Sequence, residues 1–192
     1  MPLPFLQDIL VIAATDRELA PAEGWRTLAC GVGPVDAAAA TAAAIAVSRP
    51  RVILHVGIAG ARRESGLVPP AVVVGTASIY CDLDVPERFA PHRLTAPRAL
   101  VDAARRAAPT ASGQVIGTSG HVGRTVDCAV EAMEGFAVLR AAALAGVPAI
   151  EVRVISNDIE EADRGRWQFD AAFAALHAVT PALVREVAAC AL

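Results

Sequence analysis

The feature that most constrains the fold is a series of short apolar runs separated by helical stretches. ILVIAA (9–14), VILHVGIAG (52–60) and VVVGTASIY (72–80) are continuous enough to be strands buried on both faces. Further strands are predicted over 25–30, 114–119 and 149–156, and helices over the alanine-rich stretch after Gly31, over 97–108 and from 170 to the end. This alternation predicts an α/β fold: a single three-layer domain, 1–192, with a mostly parallel, twisted central sheet flanked by helices.

Composition excludes several kinds of chemistry. All 17 basic residues are arginine, so a Walker lysine, a Schiff-base lysine and every pyridoxal-phosphate mechanism are excluded. The formal net charge is −3 and no basic cluster is present, which argues against nucleic acid as a partner. With 55% hydrophobic residues the chain is globular rather than disordered.

The metal-ligating residue types are scattered. The four cysteines and four histidines show no C-x-x-C pair or comparable spacing, so we expect no metal and no organic cofactor. The N-terminus has no basic segment of a signal peptide, and no apolar stretch reaches membrane-spanning length without charge or proline. We therefore expect a cytoplasmic protein with reduced cysteines and no membrane contact.

Two short motifs resemble known sites only partly. Gly31-Val32-Gly33 follows a strand and opens a helix, but Asp36 stands where a dinucleotide fingerprint has its third glycine, so a tight turn is the better interpretation. Ser119 lacks the Gly-x-Ser-x-Gly frame of a nucleophile elbow. Neither motif predicts a function.

Polar groups at the ends of apolar strands are more informative, because ligands of α/β sheets bind there. They are Glu18, the Gly57–Gly60 segment, Met133-Glu134 and the pair Arg153 and Asn157. Each has a structural alternative. Glu18 could be a solvated acid at a helix start, and Glu134 a helix-surface charge. Arg153 and Glu151 share one strand face and could simply pair with neighbouring residues.

Taken in order, these segments resemble one family. AATDRE (13–18), VGIAGA from Val56, AMEG (132–135) and VRVISN (152–157) resemble the nucleoside phosphorylase/nucleosidase superfamily, specifically its hydrolytic branch with 5′-methylthioadenosine/S-adenosylhomocysteine nucleosidase. The resemblance covers nearly the whole chain. It implies a nucleoside phosphorylase/hydrolase-like fold, a purine nucleoside as the small-molecule substrate, and a homo-oligomer, dimer or higher.

The resemblance also implies roles for individual residues. Glu18 matches the carboxylate that orients and deprotonates the attacking water, and Arg153 matches a residue near that water. Glu134 matches the acid that accepts hydrogen bonds from the ribose hydroxyls, with Met133 against the sugar. Substrate contacts are also expected from Ile58, Ala59 and Gly60.

Asn157 departs from the adenine-specific members, in which an aspartic acid at this position protonates purine N7. Asparagine cannot act as a general acid, but its amide can donate to a 6-oxo group and accept from N7–H. Asn157 therefore favours hypoxanthine over adenine as the leaving group.

Hydrolysis is favoured over phosphorolysis. The related phosphorylases place an arginine and a serine around the Gly-x-x-Gly strand end, whereas His55 and Ile58 occupy those positions here. Ile58 also replaces the serine of the methylthioadenosine enzymes, which leaves fewer groups to orient the water.

The remaining alternatives are a methylthioadenosine/S-adenosylhomocysteine or inosine-type nucleosidase and a catalytically silent nucleoside-binding module. The subgroup that pairs Met-Glu-Gly with Arg-x-x-Ser-Asn, followed by Asp163-Arg164 and Trp167, acts on a substrate with an aromatic carboxylate on its 5′ side. An arginine is expected in that pocket; Arg63, Arg124 and Arg166 are candidates that the sequence does not rank.

Overall fold

The computed structural model describes residues 6–123, 125 and 127–190. The strands are β1 (Ile9–Ala13), β2 (Arg26–Ala29), β3 (Val52–Ala61), β4 (Val72–Tyr80), β5 (Arg93–Thr95), β6 (Ser112–Thr118), β7 (Val130–Ala132) and β8 (Ala149–Asp158). The helices are α1 (Pro34–Ser48), α2 (Arg98–Ala107), α3 (Gly135–Leu144) and α4 (Phe169–Cys190).

The eight strands form one mixed sheet. Parallel pairs join β1 to β2 and β3, β3 to β8, β4 to β6, and β6 to β7. Antiparallel pairs join β3 to β7 and β4 to β5 and β8. The prediction of a mostly parallel sheet in an α/β fold is confirmed, with three antiparallel pairings that the strand–helix alternation did not indicate.

Five of these strands close into a ring, because β8 bridges β3 and β4 while β7 and β6 connect the same two strands on the other side. All five strands of the ring contribute to one small apolar cluster. It contains Ala59, Ala61, Val73, Ile116, Val130, Ala132 and Ile155. The cluster consists of alanine, valine and isoleucine and contains no aromatic side chain.

Helices cover both faces of the sheet and complete three layers. One core packs α2 and α4 against β1, β3, β4 and β8, and the other packs α1 and α3 against β1 and β3. Helix α1 packs closely because its side chains are mostly alanine. The predicted layered architecture is confirmed.

The last helix is continuous through Pro181, so the proline is internal and does not begin a new helix. Thr180 Oγ1 donates to the Leu176 carbonyl at 2.7 Å, within the turn that precedes the proline. By length and hydropathy alone α4 could span a membrane. Its apolar face, however, packs in the core through Leu176, Leu183 and Val187, as in a core helix.

Three elements were missing from the sequence prediction. β5 and β7 have only three residues each, so they carry no periodic signal. β5 lies in the segment 81–97, whose three prolines indicate a loop rather than a strand. Helix α3 follows Glu134 directly, and Arg140 is its one charged residue, so its sequence lacks the polar face that marks an amphipathic helix.

Candidate active site

A cavity of about 320 Å³ opens where β1, β3, β7 and β8 end. The structure brings most of the predicted site residues to its wall: Glu18, Ile58, Ala59, Gly60, Met133, Glu134 and Asn157. Arg153 lies beneath them, with 1% of its side chain exposed. Residues 139 positions apart in the chain thus share one site because parallel strands end at the same edge of the sheet.

Glu18 ends the short 3-10 turn Asp16–Glu18 that follows β1, and it is 4% exposed. Its Oε2 accepts from both the N–H and the Oγ1 of Thr15, each at 2.9 Å, and the bond from the N–H is the Glu18 half of a capping box. Its Oε1 accepts from the Ile58 N–H at 3.1 Å. Three donors fix this carboxylate at the cavity wall, so Glu18 is not the solvated helix-start acid of the structural alternative.

Glu134 is the N-cap residue of α3 and is 4% exposed. Its Oε1 accepts from the Gly33 N–H at 3.1 Å, and its Oε2 lies 3.5 Å from Nη2 of Arg153. Gly33 has φ +91°, a conformation that L side chains rarely adopt, so glycine lets the turn before α1 present this N–H. The turn interpretation of Gly31–Gly33 is confirmed, and Glu134 is not a surface charge.

A buried group of polar side chains lies below the cavity; we call it the floor and define it as His55, Glu134, Glu151 and Arg153. The Nε of Arg153 donates to Glu151 Oε1 at 2.8 Å, and its Nη2 donates to His55 Nε2 at 2.6 Å. Pairing with a neighbouring residue was the structural alternative for Arg153, and Glu151 is that neighbour. The pairing exists, but the same guanidinium also reaches Glu134 and the carbonyl of Ile58, at 3.4 Å from its Nη1.

Gly57 and Gly135 make room for the floor. A Cβ at Gly57 would overlap Nη1 of Arg153 and lie 2.9 Å from Glu18 Oε1, so only glycine lets these two charges approach each other across β3. A Cβ at Gly135 would overlap the carboxylate of Glu151. The structure therefore gives a physical reason for the glycine at each of these two motif positions.

His55 is neutral in this environment. Burial, and then the positive charge of Arg153, lower the pKa of His55 well below its ordinary value. Its Nδ1 lies 3.0 Å from the Ile12 carbonyl, so that nitrogen carries the proton and Nε2 accepts from Arg153. His55 supports the arginine from below and does not line the cavity.

The charges of the floor perturb one another. Burial raises the pKa of Glu134 above its ordinary value; Arg153 and the Gly33 N–H oppose this rise, and Glu18 and Glu151 add to it. Burial on its own lowers the pKa of Arg153, but the three carboxylates outweigh it and raise the pKa above its ordinary value. The arginine therefore stays charged, and it is the cation that holds several buried acids together.

Asn157 reaches the cavity through a β-bulge. The register of β3 and β8 pairs Ala59 with Ile155 and then Gly60 with Asn157, so Ser156 is the additional residue. Ser156 Oγ lies 2.8 Å from Asn157 Oδ1, and Asn157 Nδ2 donates to the Asp158 carbonyl at 3.1 Å. Bulges commonly re-aim side chains beside functional sites. Here the bulge places an amide at the wall of the cavity, within a strand that continues to Asp158.

An open part of the same cavity was not predicted. We call this region the mouth: Arg17, Phe169 and Phe173 line the cavity, and Asp170 lies beside them as the partner of Arg17. Phe169 and Phe173 stack with their ring centroids 6.3 Å apart, and Trp167 lies 5.5 Å from Phe169. The aromatic spacing i, i+4 at the start of α4 was the available signal, since it places both rings on one helix face.

Other sequence candidates lie elsewhere or have structural tasks. Ser119 Oγ donates to Asp82 at 2.7 Å and accepts from the His121 N–H at 3.0 Å, and this serine does not line the cavity. Arg63 pairs with Asp158 at 2.7 Å, and Arg166 pairs with Glu161 at 3.2 Å; neither lines the cavity. Arg124 lies outside the described residues.

Comparison with known proteins agrees with this geometry. The family model of the phosphorylase superfamily matches residues 27–189. The chain therefore belongs to the phosphorylase superfamily, and the resemblance predicted from the sequence is confirmed.

Within this superfamily, the futalosine hydrolase of Streptomyces coelicolor is 36% identical over 185 residues, covering 80% of this chain and 76% of the relative. The futalosine hydrolase of Helicobacter pylori superposes with a TM-score of 0.78 at 16% identity, covering 93% of this chain and 97% of that one. The 5′-methylthioadenosine/S-adenosylhomocysteine nucleosidase of Neisseria meningitidis, in complex with methylthio-immucillin-A, gives 0.77 at 23% identity, with coverages of 93% and 98%. The two structural likenesses show the shared fold.

Proposed function

We propose that the protein is an N-glycosyl hydrolase that cleaves futalosine with water, releasing hypoxanthine and dehypoxanthine futalosine in menaquinone biosynthesis. The observation that carries the proposal is the convergence of Glu18, Glu134 and Asn157 on one cavity above a buried arginine. The curated relative with 36% identity is a futalosine hydrolase, which supports the same substrate.

The cavity offers the groups that this reaction requires. Cleavage of an N-ribosidic bond passes through an oxocarbenium-like sugar, and a carboxylate next to it stabilises the developing positive charge. In the proposed mechanism Glu18 takes the proton of the attacking water, and the two oxygens of Glu134 accept from ribose hydroxyls, with Met133 against the sugar. Arg153 keeps Glu134 in place, because its guanidinium lies 3.5 Å from that carboxylate.

The departing base is proposed to be hypoxanthine. The Asn157 amide can donate to the 6-oxo group through Nδ2 while the base departs with the electron pair of the broken bond. Once the departing base has taken a proton from solvent at N7, Oδ1 can accept from that N7–H, and Glu18 returns the proton of the attacking water to solvent. Ser156 has a single hydroxyl proton and lies near two acceptors, at 2.8 Å from Asn157 Oδ1 and 3.2 Å from the Ala59 carbonyl. Its proton can therefore turn to Ala59 and release Oδ1 for the purine.

Water fits the cavity better than phosphate. Three carboxylates line it, those of Glu18, Glu131 and Glu134, and the Ile58 side chain beside Glu18 is apolar. His55 lies buried beneath Arg153 and cannot provide a ligand to an anion from the cavity wall. A phosphate dianion next to Glu18 would meet like charge in a site of low dielectric.

The test is a measurement of free base from futalosine, aminofutalosine, inosine and methylthioadenosine, each with and without phosphate. We expect hypoxanthine release from futalosine that is indifferent to phosphate. Adenine release from methylthioadenosine would favour the methylthioadenosine-type nucleosidase, and phosphate dependence would contradict hydrolysis. Binding of futalosine without any release of base would indicate the nucleoside-binding module.

We further propose that the domain spans residues 1–192, acts in the cytoplasm and forms a homo-oligomer. A groove between α1 and α3, with Val35 78% and Leu144 71% exposed, supports the last point because single chains rarely leave such apolar surface in water. Light scattering of the purified protein measures the assembly, and a monomer at all concentrations would contradict the proposal.

A further inference from the structure

The charges on the cavity wall are unevenly distributed. Among the described residues that line the cavity, Arg17 is the only one with a cationic side chain, and it lies in the mouth, next to the wall residue Glu18 in the chain. Glu131, which also lines the cavity, is already occupied by the N–H and Oγ1 of Thr125 at 2.9 and 2.8 Å. An anionic group of a ligand can therefore meet positive charge at the mouth and repulsion deeper in.

The position of Arg17 is set by contacts on both sides of its backbone. Glu18 closes the capping box with Thr15, and the Arg17 carbonyl lies 2.9 Å from Nε2 of His177 on α4. Its guanidinium carbon lies 4.7 Å from the centre of the Phe173 ring, as in a cation–π contact. Arg17 is thus held over an aromatic wall although its side chain is 71% exposed.

The present partner of Arg17 is easily replaced. Nη2 of Arg17 lies 3.5 Å from Asp170 Oδ1, and the Asp170 side chain is 99% exposed. Exposed ion pairs of this kind contribute little, because water competes for both charges. A ligand carboxylate could take over the planar donor face of the guanidinium, which suits carboxylates in a two-point contact.

We propose that Arg17 binds the carboxylate on the 5′ side of the substrate, and that Phe169 and Phe173 pack against the aromatic ring that carries it. The inference rests on the proposed function, which supplies a substrate with such a group. With the base at Asn157 and the ribose at Glu134, the mouth is the part of the cavity left for the 5′ substituent. Arg17 is then a specificity-determining residue that takes no part in bond cleavage.

The experiment compares futalosine with its neutral methyl ester in the wild type and in Arg17→Gln. We expect Arg17→Gln to lower kcat/KM for the acid relative to the ester by about 10- to 100-fold, since hydrogen bonds to charged groups contribute on this scale. Most of the change should be in KM. Arg17→Lys should keep part of the preference, because it keeps the charge and loses the planar fork.

The matched control is Arg98→Gln, a change of equal charge at an arginine on α2 whose side chain is 95% exposed and which does not line this cavity. It should leave the acid-to-ester ratio as in the wild type. If the wild type cleaves futalosine but Arg17→Gln has an unchanged acid-to-ester ratio of kcat/KM, only the role proposed for Arg17 is overturned. A wild type that releases no hypoxanthine from futalosine would overturn the proposed function, and the role of Arg17 with it.

Discussion

The floor and the mouth of the cavity use the same kind of ion pair in opposite surroundings. In the floor, Arg153 and Glu151 are each 1% exposed and their atoms are 2.8 Å apart. In the mouth, Arg17 and Asp170 are 71% and 99% exposed and 3.5 Å apart. The floor pair is fixed and costly to break, whereas the mouth pair is loose and replaceable.

The difference matches two tasks. Catalytic groups gain from fixed positions away from water, because electrostatic interactions are stronger there and need no rearrangement during the reaction. A side chain that recognises one end of a substrate must instead release bound water and a weakly held partner when the ligand binds. The floor is therefore suited to the chemistry and the mouth to substrate choice.

The largest expected effect is a loss of turnover when Glu18, which lies at the cavity wall above the floor, is replaced. Glu18→Gln should lower kcat for hypoxanthine release by about 10²- to 10⁴-fold, as for loss of a general base, while calorimetric binding of futalosine is largely retained. Asp16→Asn, an exposed acid in the same turn, is the control and should retain activity. If Glu18→Gln kept normal turnover, Glu18 would not be the base.

The next effect is on stability and tests the floor directly. Arg153→Met should lower the free energy of unfolding by about 3–5 kcal/mol, because it leaves buried carboxylates without their cation. Urea denaturation at neutral pH measures this. The control is Arg106→Met, which removes a pair with Glu186 whose side chains are 54% and 38% exposed, and it should change stability little. Equal losses in the two variants would contradict the contrast between buried and exposed pairs.

A smaller effect concerns the choice of base. Asn157→Asp should shift the kcat/KM ratio of aminofutalosine to futalosine by about 10- to 100-fold towards the 6-amino substrate, on the scale of a misplaced hydrogen bond. The two substrates share the same 5′ side, so the mouth is not involved. The control is Asp158→Asn, which replaces the neighbouring acid by an amide and should leave this kcat/KM ratio unchanged. A ratio unmoved by Asn157→Asp would mean that this amide does not contact the base.

The smallest expected effect is a pH dependence of protein stability that arises from Glu134 in the floor. The pKa of Glu134 is raised by burial, so the folded state binds its proton more readily than the unfolded state. The free energy of unfolding of the wild type, relative to that of Glu134→Gln, should therefore rise as the pH falls through the folded pKa of Glu134. This gain should be complete below the ordinary glutamate pKa, and it should be lost as the pH rises again. Parallel urea titrations of the two proteins test this. A constant difference across acidic and neutral pH would contradict the raised pKa.

The sequence was sufficient for the strands that carry long apolar runs. β1, β3, β4 and β8 were predicted to within about two residues, the usual uncertainty of element ends. Their hydrophobicity reflects burial on both faces, which a single segment reports by itself. β5 and β7 could not be found in this way, since three residues held by neighbouring strands have no pattern of their own.

The candidate site shows the same difference between local signals and contacts that join distant segments. Glu18, Glu134, Arg153 and Asn157 were singled out as polar groups near apolar segments, and their roles came from the resemblance to a known family. Neither the support of Arg153 by His55 nor the placement of Arg17 over Phe173 was predicted. Both contacts join residues far apart in the chain.

By itself, then, the sequence determined the α/β alternation, the absence of lysine chemistry and the identity of the polar groups at the strand ends. Only the tertiary structure decided which charges are buried together, that a bulge at Ser156 places Asn157 at the cavity wall, and that Arg17 stands at the mouth. The physical reason is that apolar runs and caps are local properties of the chain. Burial, register and charge–charge contact are properties of pairs of segments, and they exist only once the sheet has brought those segments together.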